Sequence, residues 1–442
     1  MKGKAEFYFY MSIGLGMAMA TSSYTMISDL FATANAPWIL AGVCVAGLFC
    51  MVIALSIGEL ASMFPSAPGV RTYFKIAFGD RTSLVLVYLY LIFVILIAGL
   101  ETFVFSQVLL AIFPKSVPVL TVVALIGFVL VINLMGFDLP RSVQILTTLL
   151  AIALIAASGV AALLHAKTNL ASTGQPGDAL RKAFMLPALA GTSIFLYTGF
   201  EWVTPLGLRP NAYERKIPFS MPAVVLVLCI VYCLFVLGAA SQLPPRAIAS
   251  TPTPQVSYFS ALYGSAGPQL ALFLSVLSLF STFNAGVLGG SQLIFMLAQE
   301  RKLPKWCAAV SLRTGCPVGA IILLAALATL AGITVVVFRL EILAGLVGAS
   351  IMCFIYAVFM LAVIKLRKEK PGLHRGFRTP VVGAIQWMSA ACLLLMGAFT
   401  LFSDSGSGLR CAIAMVLCLV LAWLLALRSR GGQAVGKQGA AS

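Results

Sequence analysis

Apolar runs of about 20 residues recur along the whole chain, parted by short polar breaks, and each is long enough to cross a ~30 Å hydrocarbon core. The pattern predicts spans at 7–33, 38–61, 82–112, 118–137, 143–165, 185–208, 221–241, 269–298, 317–337, 341–364, 381–402 and 410–427, about 12 transmembrane helices. The first run starts near Phe7 and continues too far for the core of a signal peptide, so it reads as a span. The longest connections, 166–184, 242–268 and 299–316, leave no room for a folded domain. In the second of them Pro244, Pro245, Pro252 and Pro254 mark a loop. Residues 365–380 form a basic connector, and 429–442 a Gly-rich tail expected to be disordered.

Composition agrees with this pattern. The 442 residues are 61% hydrophobic and only 10% charged, where soluble domains carry roughly 25% charge. A net charge of +16 suggests nucleic acid until it is placed on the spans. Of the 29 Lys and Arg, 22 fall in the segments on the N-terminal side of the membrane and 7 on the other. That asymmetry reports orientation rather than a nucleic-acid partner: N- and C-termini cytoplasmic, in the plasma (bacterial inner) membrane. Eight of the ten cysteines lie in or beside spans, Cys307 and Cys316 lie in a basic loop, and none is placed to form an extracellular disulfide. Cys229 and Cys233 share a helical face; with His165 and His374 distant, packing is favoured there over a metal, and no cofactor is expected.

Spans 1–5 and spans 6–10 have opposite orientation, the arithmetic of an inverted five-helix repeat. The expected division is a first repeat at 1–165, an extracellular loop at 166–184, a second repeat at 185–364 and two peripheral helices at 381–428. Spans 1 and 6 occupy corresponding places and both look interrupted. Span 1 carries Thr21, Ser22, Ser23, Tyr24 and Thr25 in mid-membrane, and span 6 carries Tyr197, Thr198, Gly199, Phe200 and Glu201, then Pro205 and Gly207. Gly and Pro free backbone groups that hydroxyls or a carboxylate can satisfy beside a cavity.

Several motifs resemble the amino acid–polyamine–organocation (APC) transporter family. Gly58-Glu59-Leu60-Ala61-Ser62-Met63-Phe64-Pro65-Ser66-Ala67-Pro68-Gly69, followed by Ala77-Phe78-Gly79, is similar to that family's segment after span 2. Asn133-Leu134-Met135-Gly136 with Gln144 resembles the approach to span 5, and Gly199-Phe200-Glu201 with Glu214-Arg215 and Ile217-Pro218 the span 6 region. Asn284, Met296, Ala298, Leu303-Pro304 and Pro317 resemble span 8 and its exit. The resemblance implies the inverted-repeat fold and transport of an amino acid, with an amine or polyamine as the alternative cargo. Departures stand beside it. Ser22-Ser23-Tyr24-Thr25 occupies the family's glycine-containing break, Arg209 a commonly acidic position, Ala212-Tyr213 its Asn-Pro, Gln292 a frequent Arg, and Ala151 a span 5 lysine linked in some members to proton coupling.

An amino acid brings a carboxylate and an ammonium to the midplane. A broken helix offers free N–H groups for the first and free carbonyls for the second. Candidate substrate-binding residues are therefore Thr21, Ser22, Ser23, Tyr24, Thr25, Tyr197, Gly199, Phe200 and Glu201. Serine and threonine also serve as interhelical glue, and Tyr24 either narrows a pocket or packs. Of thirteen Asp and Glu, only Glu101 and Glu201 fall well inside spans, where a carboxylate is costly. Both are candidates for proton coupling; the other reading is that each satisfies backbone or buried groups. Phe195 and Trp202 flank the same break as Tyr197 and Phe200, where an aromatic ring can face an ammonium. No hydrolase, metalloprotease or nucleotide-binding motif is present, so the chain reads as a secondary transporter rather than an enzyme or an ATP-driven pump. A channel or membrane-embedded receptor is the alternative of another class, but no continuous polar stripe supports a channel.

Overall fold

The computed structural model describes residues 2–65, 69–136, 141–167, 178–206, 212–380, 383–403 and 406–438; among them there are helices and no strands. In chain order the helices are α1 (Lys2–Ala18), α2 (Ser22–Thr33), α3 (Ala36–Met63), α4 (Val70–Ile112), α5 (Pro118–Leu134), α6 (Arg141–Leu164) and α7 (Asp178–Tyr197). A 3-10 turn (Phe200–Leu206) and a π turn (Ala212–Lys216) lead into α8 (Ile217–Gln242), then α9 (Pro245–Ala249), α10 (Pro254–Tyr263), α11 (Gly267–Gln299), α12 (Val318–Phe338), α13 (Glu341–Glu369), α14 (Gly383–Thr400) and α15 (Gly408–Gln438). Nine helices among the described residues are long and apolar enough to cross a membrane, and α5 is a shorter apolar one.

Local chemistry sets the ends. Proline opens α3, α5, α8 and α11 within their first two positions, where its missing N–H costs nothing. Gly79, with φ of 83°, turns α4 between a short segment at 70–78 and its membrane-crossing part. Three expectations shift. The helix α7 begins at Asp178, inside the 166–184 connection; residues 168–177 of that connection lie outside those described. The tail expected to be disordered continues α15 as far as Gln438. The 242–268 connection, read as a loop, folds into the short helices α9 and α10, each opened by one of its prolines.

The helices α1, α3, α7 and α8 pack together, and α4, α5, α11 and α12 form a second group against them. The helix α13 lies between α4, α7 and α14, and α15 covers the outside of α4. At the end of the bundle where α1 begins, buried and half-buried ion pairs fasten the helices. Glu59, fully buried, accepts from Arg367 Nε at 2.9 Å and from the Thr379 amide at 2.8 Å, with Arg375 Nε at 3.4 Å. Arg71 holds Glu300 and Asp80, and Lys216 holds Glu6. At the opposite end, Thr25 Oγ1 donates to the Pro252 carbonyl at 2.6 Å. Ser28 Oγ lies 2.9 and 2.8 Å from the carbonyls of Ile248 and Thr251, tying α2 to the 242–268 segment.

Candidate functional site

Both interrupted spans are broken, and in each a carboxylate of the chain itself sits on the freed backbone. In the first, Met19 N still donates to Leu15 O at 2.8 Å, after which the α1 ladder stops. The break falls at 19–21 and takes in Thr21, the first of the hydroxyl cluster, whose Ser22, Ser23, Tyr24 and Thr25 form the first turn of α2. Ser23 N and Tyr24 N fold back on the carbonyls of Ala20 and Thr21 at 3.1 and 3.2 Å. The amides of Thr21 and Ser22 instead donate to Oε1 and Oε2 of Glu101, at 2.7 and 2.8 Å. A carboxylate bridging two amides at a helix N-terminus combines charge-assisted hydrogen bonding with a favourable dipole.

In the second break α7 ends at Tyr197 and Thr198 N returns to Phe195 O at 3.2 Å. Gly199 has φ of 122°, a conformation that disfavours any residue with a Cβ. Its amide donates to Glu201 Oε2 at 3.1 Å. The same carboxylate accepts from the hydroxyls of Tyr356, at 2.9 Å, and Tyr90, at 3.0 Å. Glu201 is thus held by α4 and α13 as well as by its own turn, and it is 2% exposed.

Between the breaks lies a chamber of about 10 Å³ lined by Ser22 and Ser23 on one side and by Phe195, Thr198, Gly199 and Trp202 on the other. That is close to the space of a single water, too little for an amino acid. Phe93 and Ile97 of α4 complete its wall. A second cavity, of about 60 Å³, opens on Glu101 between α4, α5, α11 and α12; apart from Glu101, Thr282 and Trp202 its walls are apolar, among them Ala98, Val129, Phe283 and Ala325.

The candidate residues divide accordingly. Ser22, Ser23 and Gly199 face the chamber, and Thr21 offers its amide at the chamber's edge. Tyr24 does not enter it: its ring lies 4.8 Å from that of Phe235, packed against α8. Thr25 points to the 242–268 segment. Tyr197 Oη donates to Val43 O at 2.9 Å, away from the chamber, and Phe200 stacks on Tyr356 at 5.6 Å. Glu101 and Glu201 each brace one break. Gly207 and Arg209 lie outside the described residues, as does the Ser66–Pro68 part of the motif after α3. Ser281 and Thr282 are engaged between helices: Gln144 Nε2 donates to Ser281 Oγ, and Thr282 Oγ1 donates to Gly16 O at 2.9 Å.

The sequence reading missed Tyr90 and Tyr356. Tyr90, Val94, Ile97 and Glu101 follow helical spacing on one face of α4, so a polar ring in register with Glu101 was a usable signal. Tyr356 is one tyrosine in an apolar helix, and nothing along the chain ties it to Glu201. Cys44 of α3 also joins Cys229 and Cys233, the three sulfurs lying within 4.8 Å of one another.

Two opposed broken helices in an all-α bundle of apolar spans define a multi-pass membrane transporter. Residues 8–427 match the amino acid permease family, and the chain belongs to it. It is 24% identical to the human cystine/glutamate transporter, over 81% of this chain and 72% of that protein. It is 23% identical to the aromatic amino acid transport protein AroP of Corynebacterium glutamicum, over 82% of this chain and 81% of that one. In fold it is similar to the manganese transporter of Eremococcus coleocola, with TM-score 0.62 and 11% identity over 96% and 94% of the two chains. The fold is therefore the APC one, an inverted five-helix repeat with two peripheral helices, α14 and α15. Neither of those lines the chamber or the cavity beside it.

Proposed function

We propose that this protein is a secondary active transporter that carries an amino acid across the plasma membrane by alternating access, through exchange or proton coupling. Both termini face the cytoplasm, and the two repeats, 1–165 and 185–364, rearrange around the chamber. The observation that carries this reading is the small chamber between two touching helix breaks. Half-helix ends are where a membrane protein can offer unsatisfied N–H and C=O groups to a zwitterion without exposing them to lipid. The substrate carboxylate belongs at the start of α2, by the amides of Thr21 and Ser22. Its ammonium belongs by the carbonyls at the ends of α1 and α7, with Glu201 supplying negative charge or a coupling proton. The curated relatives named above, both amino acid transporters, support the cargo class.

One observation favours a second cargo: each break already holds a carboxylate, which suits a cationic amine. Proteoliposome uptake of labelled amino acids, with the matching decarboxylated amines as competitors, separates the two. The expected result is saturable amino acid uptake that the amines compete for weakly. Uptake of the amines with none of the amino acids overturns the reading.

A further inference from the structure

The Glu101 carboxylate stands where the proposed function places the substrate's own. At the start of α2 Glu101 holds the amides of Thr21 and Ser22, while those of Ser23 and Tyr24 return to carbonyls of their own turn. A substrate carboxylate that uses this helix end must therefore take donors that Glu101 now holds. Two further features mark the place as a ligand subsite. The hydroxyls of Thr21 and Ser22, both on fully buried residues, stand at the same helix end beside the Glu101 carboxylate. The chamber beside Ser22 is too small to admit a substrate while this arrangement lasts.

A way out for Glu101 is also present. Its side chain borders the cavity of about 60 Å³ between α4, α5, α11 and α12, whose walls include Ile97, Ala98 and Val129. An ionised carboxylate loses both amide hydrogen bonds on turning there and meets apolar walls, which favour the neutral acid. The titratable groups that act on or beside Glu101 from neighbouring helices are the hydroxyls of Tyr24 on α2 and Tyr232 on α8. No Lys, Arg or His lines that cavity among the described residues.

We propose that Glu101 is a resident occupant of the carboxylate subsite, displaced by the substrate carboxylate, and that it takes up one proton from solution as it moves into the apolar cavity. The exchange is balanced. Before binding, the two amides hold one carboxylate; afterwards they hold the substrate's, and Glu101 is the neutral acid. The proposal rests on the amino acid reading, and it makes substrate and proton binding one event.

The test uses the purified full chain in detergent, with thermal stabilisation by each of the twenty L-amino acids titrated from acid to alkaline pH. Proton uptake on binding is read with an indicator dye in weakly buffered solution. The wild type is expected to bind progressively more weakly as pH rises and to take up one proton per amino acid bound. Glu101→Gln is already neutral and cannot satisfy both amides, since its NH2 group is a donor. It is expected to bind about tenfold tighter at alkaline pH, from the loss of a charged competitor, with no proton uptake and no pH slope. If Glu101→Gln does not fold, Glu101→Asp carries the test: charge is kept but reach is shortened, so affinity rises while proton uptake persists. Amino acid binding with the same affinity and pH slope in the wild type and whichever variant folds overturns the inference and leaves the transporter reading intact. Binding of the decarboxylated amines but of no amino acid overturns the amino acid reading, and the inference with it.

Discussion

A Cβ built on Gly199 would stand 2.8 Å from Cγ of Met17 and 3.1 Å from the amide of Ala18. The two helix breaks therefore meet backbone to backbone, at the one residue of the second break that has no side chain. Gly199→Ala adds a methyl group to that contact and imposes it on a φ of 122°. The expected cost is about 1–3 kcal/mol of stability, together with near-complete loss of uptake, because the breaks are forced apart. Thermal unfolding and proteoliposome uptake on the same preparation measure both. An alanine variant that transports at the wild-type rate would show that the contact is incidental.

Glu201 accepts three hydrogen bonds from three different parts of the fold, Gly199, Tyr90 and Tyr356. Glu201→Gln keeps the size but removes the charge, and its NH2 group opposes one of these donors. Uptake is expected to fall at least tenfold at every pH from about 5 to 8, and the pH dependence that remains is that of Glu101. Tyr356→Phe removes one donor and should cost about 1 kcal/mol of stability. In the double variant the two losses should be less than additive, since both act on one bond. Wild-type uptake by Glu201→Gln across that pH range assigns the carboxylate to bracing alone.

The order of spans, the two breaks and the rarity of buried carboxylates were all legible in the chain, because each leaves a local mark: an apolar run, a glycine or hydroxyl cluster, an acid in hydrocarbon. What each acid touches was not. Glu101 lies about eighty residues from the amides it caps, and Glu201 about one hundred and fifty from Tyr356, so only the fold joins them. The hydroxyl run at 21–25 misled in part for a related reason. Successive residues of a helix turn point in different directions, so five adjacent hydroxyls or rings cannot all face one chamber. Ser22 and Ser23 face it, Tyr24 packs on Phe235, and Thr25 reaches the 242–268 segment. Glu59 illustrates the opposite error. It was not among the acids read as lying well inside spans, yet it is fully buried under the basic connector.

That burial gives a stability prediction. Arg367→Ala leaves the Glu59 carboxylate in place with one of its two guanidinium partners gone, and removing one member of a buried pair costs about 3–5 kcal/mol. The remaining partner, Arg375, places the expected loss near the lower end of that range. Pairing Arg367→Met with Glu59→Gln removes both charges and should recover most of the loss. Thermal unfolding in detergent measures each variant. A single variant as stable as the wild type would show that the connector is not fastened through this pair.

The last prediction concerns the coupling ion. Ala151 stands where some members of the family carry a lysine, so no fixed ammonium is available there to replace a bound cation. A sodium ion would need a cage of oxygens, and α11 offers Ser281 and Thr282 beside the break. Both hydroxyls are committed between helices: Thr282 donates to Gly16 O at 2.9 Å, and Ser281 accepts from Gln144. A hydroxyl whose proton already points at a carbonyl can still turn a lone pair toward an ion, but no carboxylate among the described residues is paired with either. The buried acids of the site stand instead at the two breaks, where a proton can reach them only as the chamber opens. Uptake is therefore expected to be unchanged when sodium is replaced by choline at fixed pH and zero membrane potential. An imposed pH gradient, acidic on the side of entry, should accelerate it several-fold, through protonation of Glu101 or Glu201. Collapse of uptake on removing sodium would place the coupling ion at Ser281 and Thr282 and leave the two glutamates as braces for the breaks.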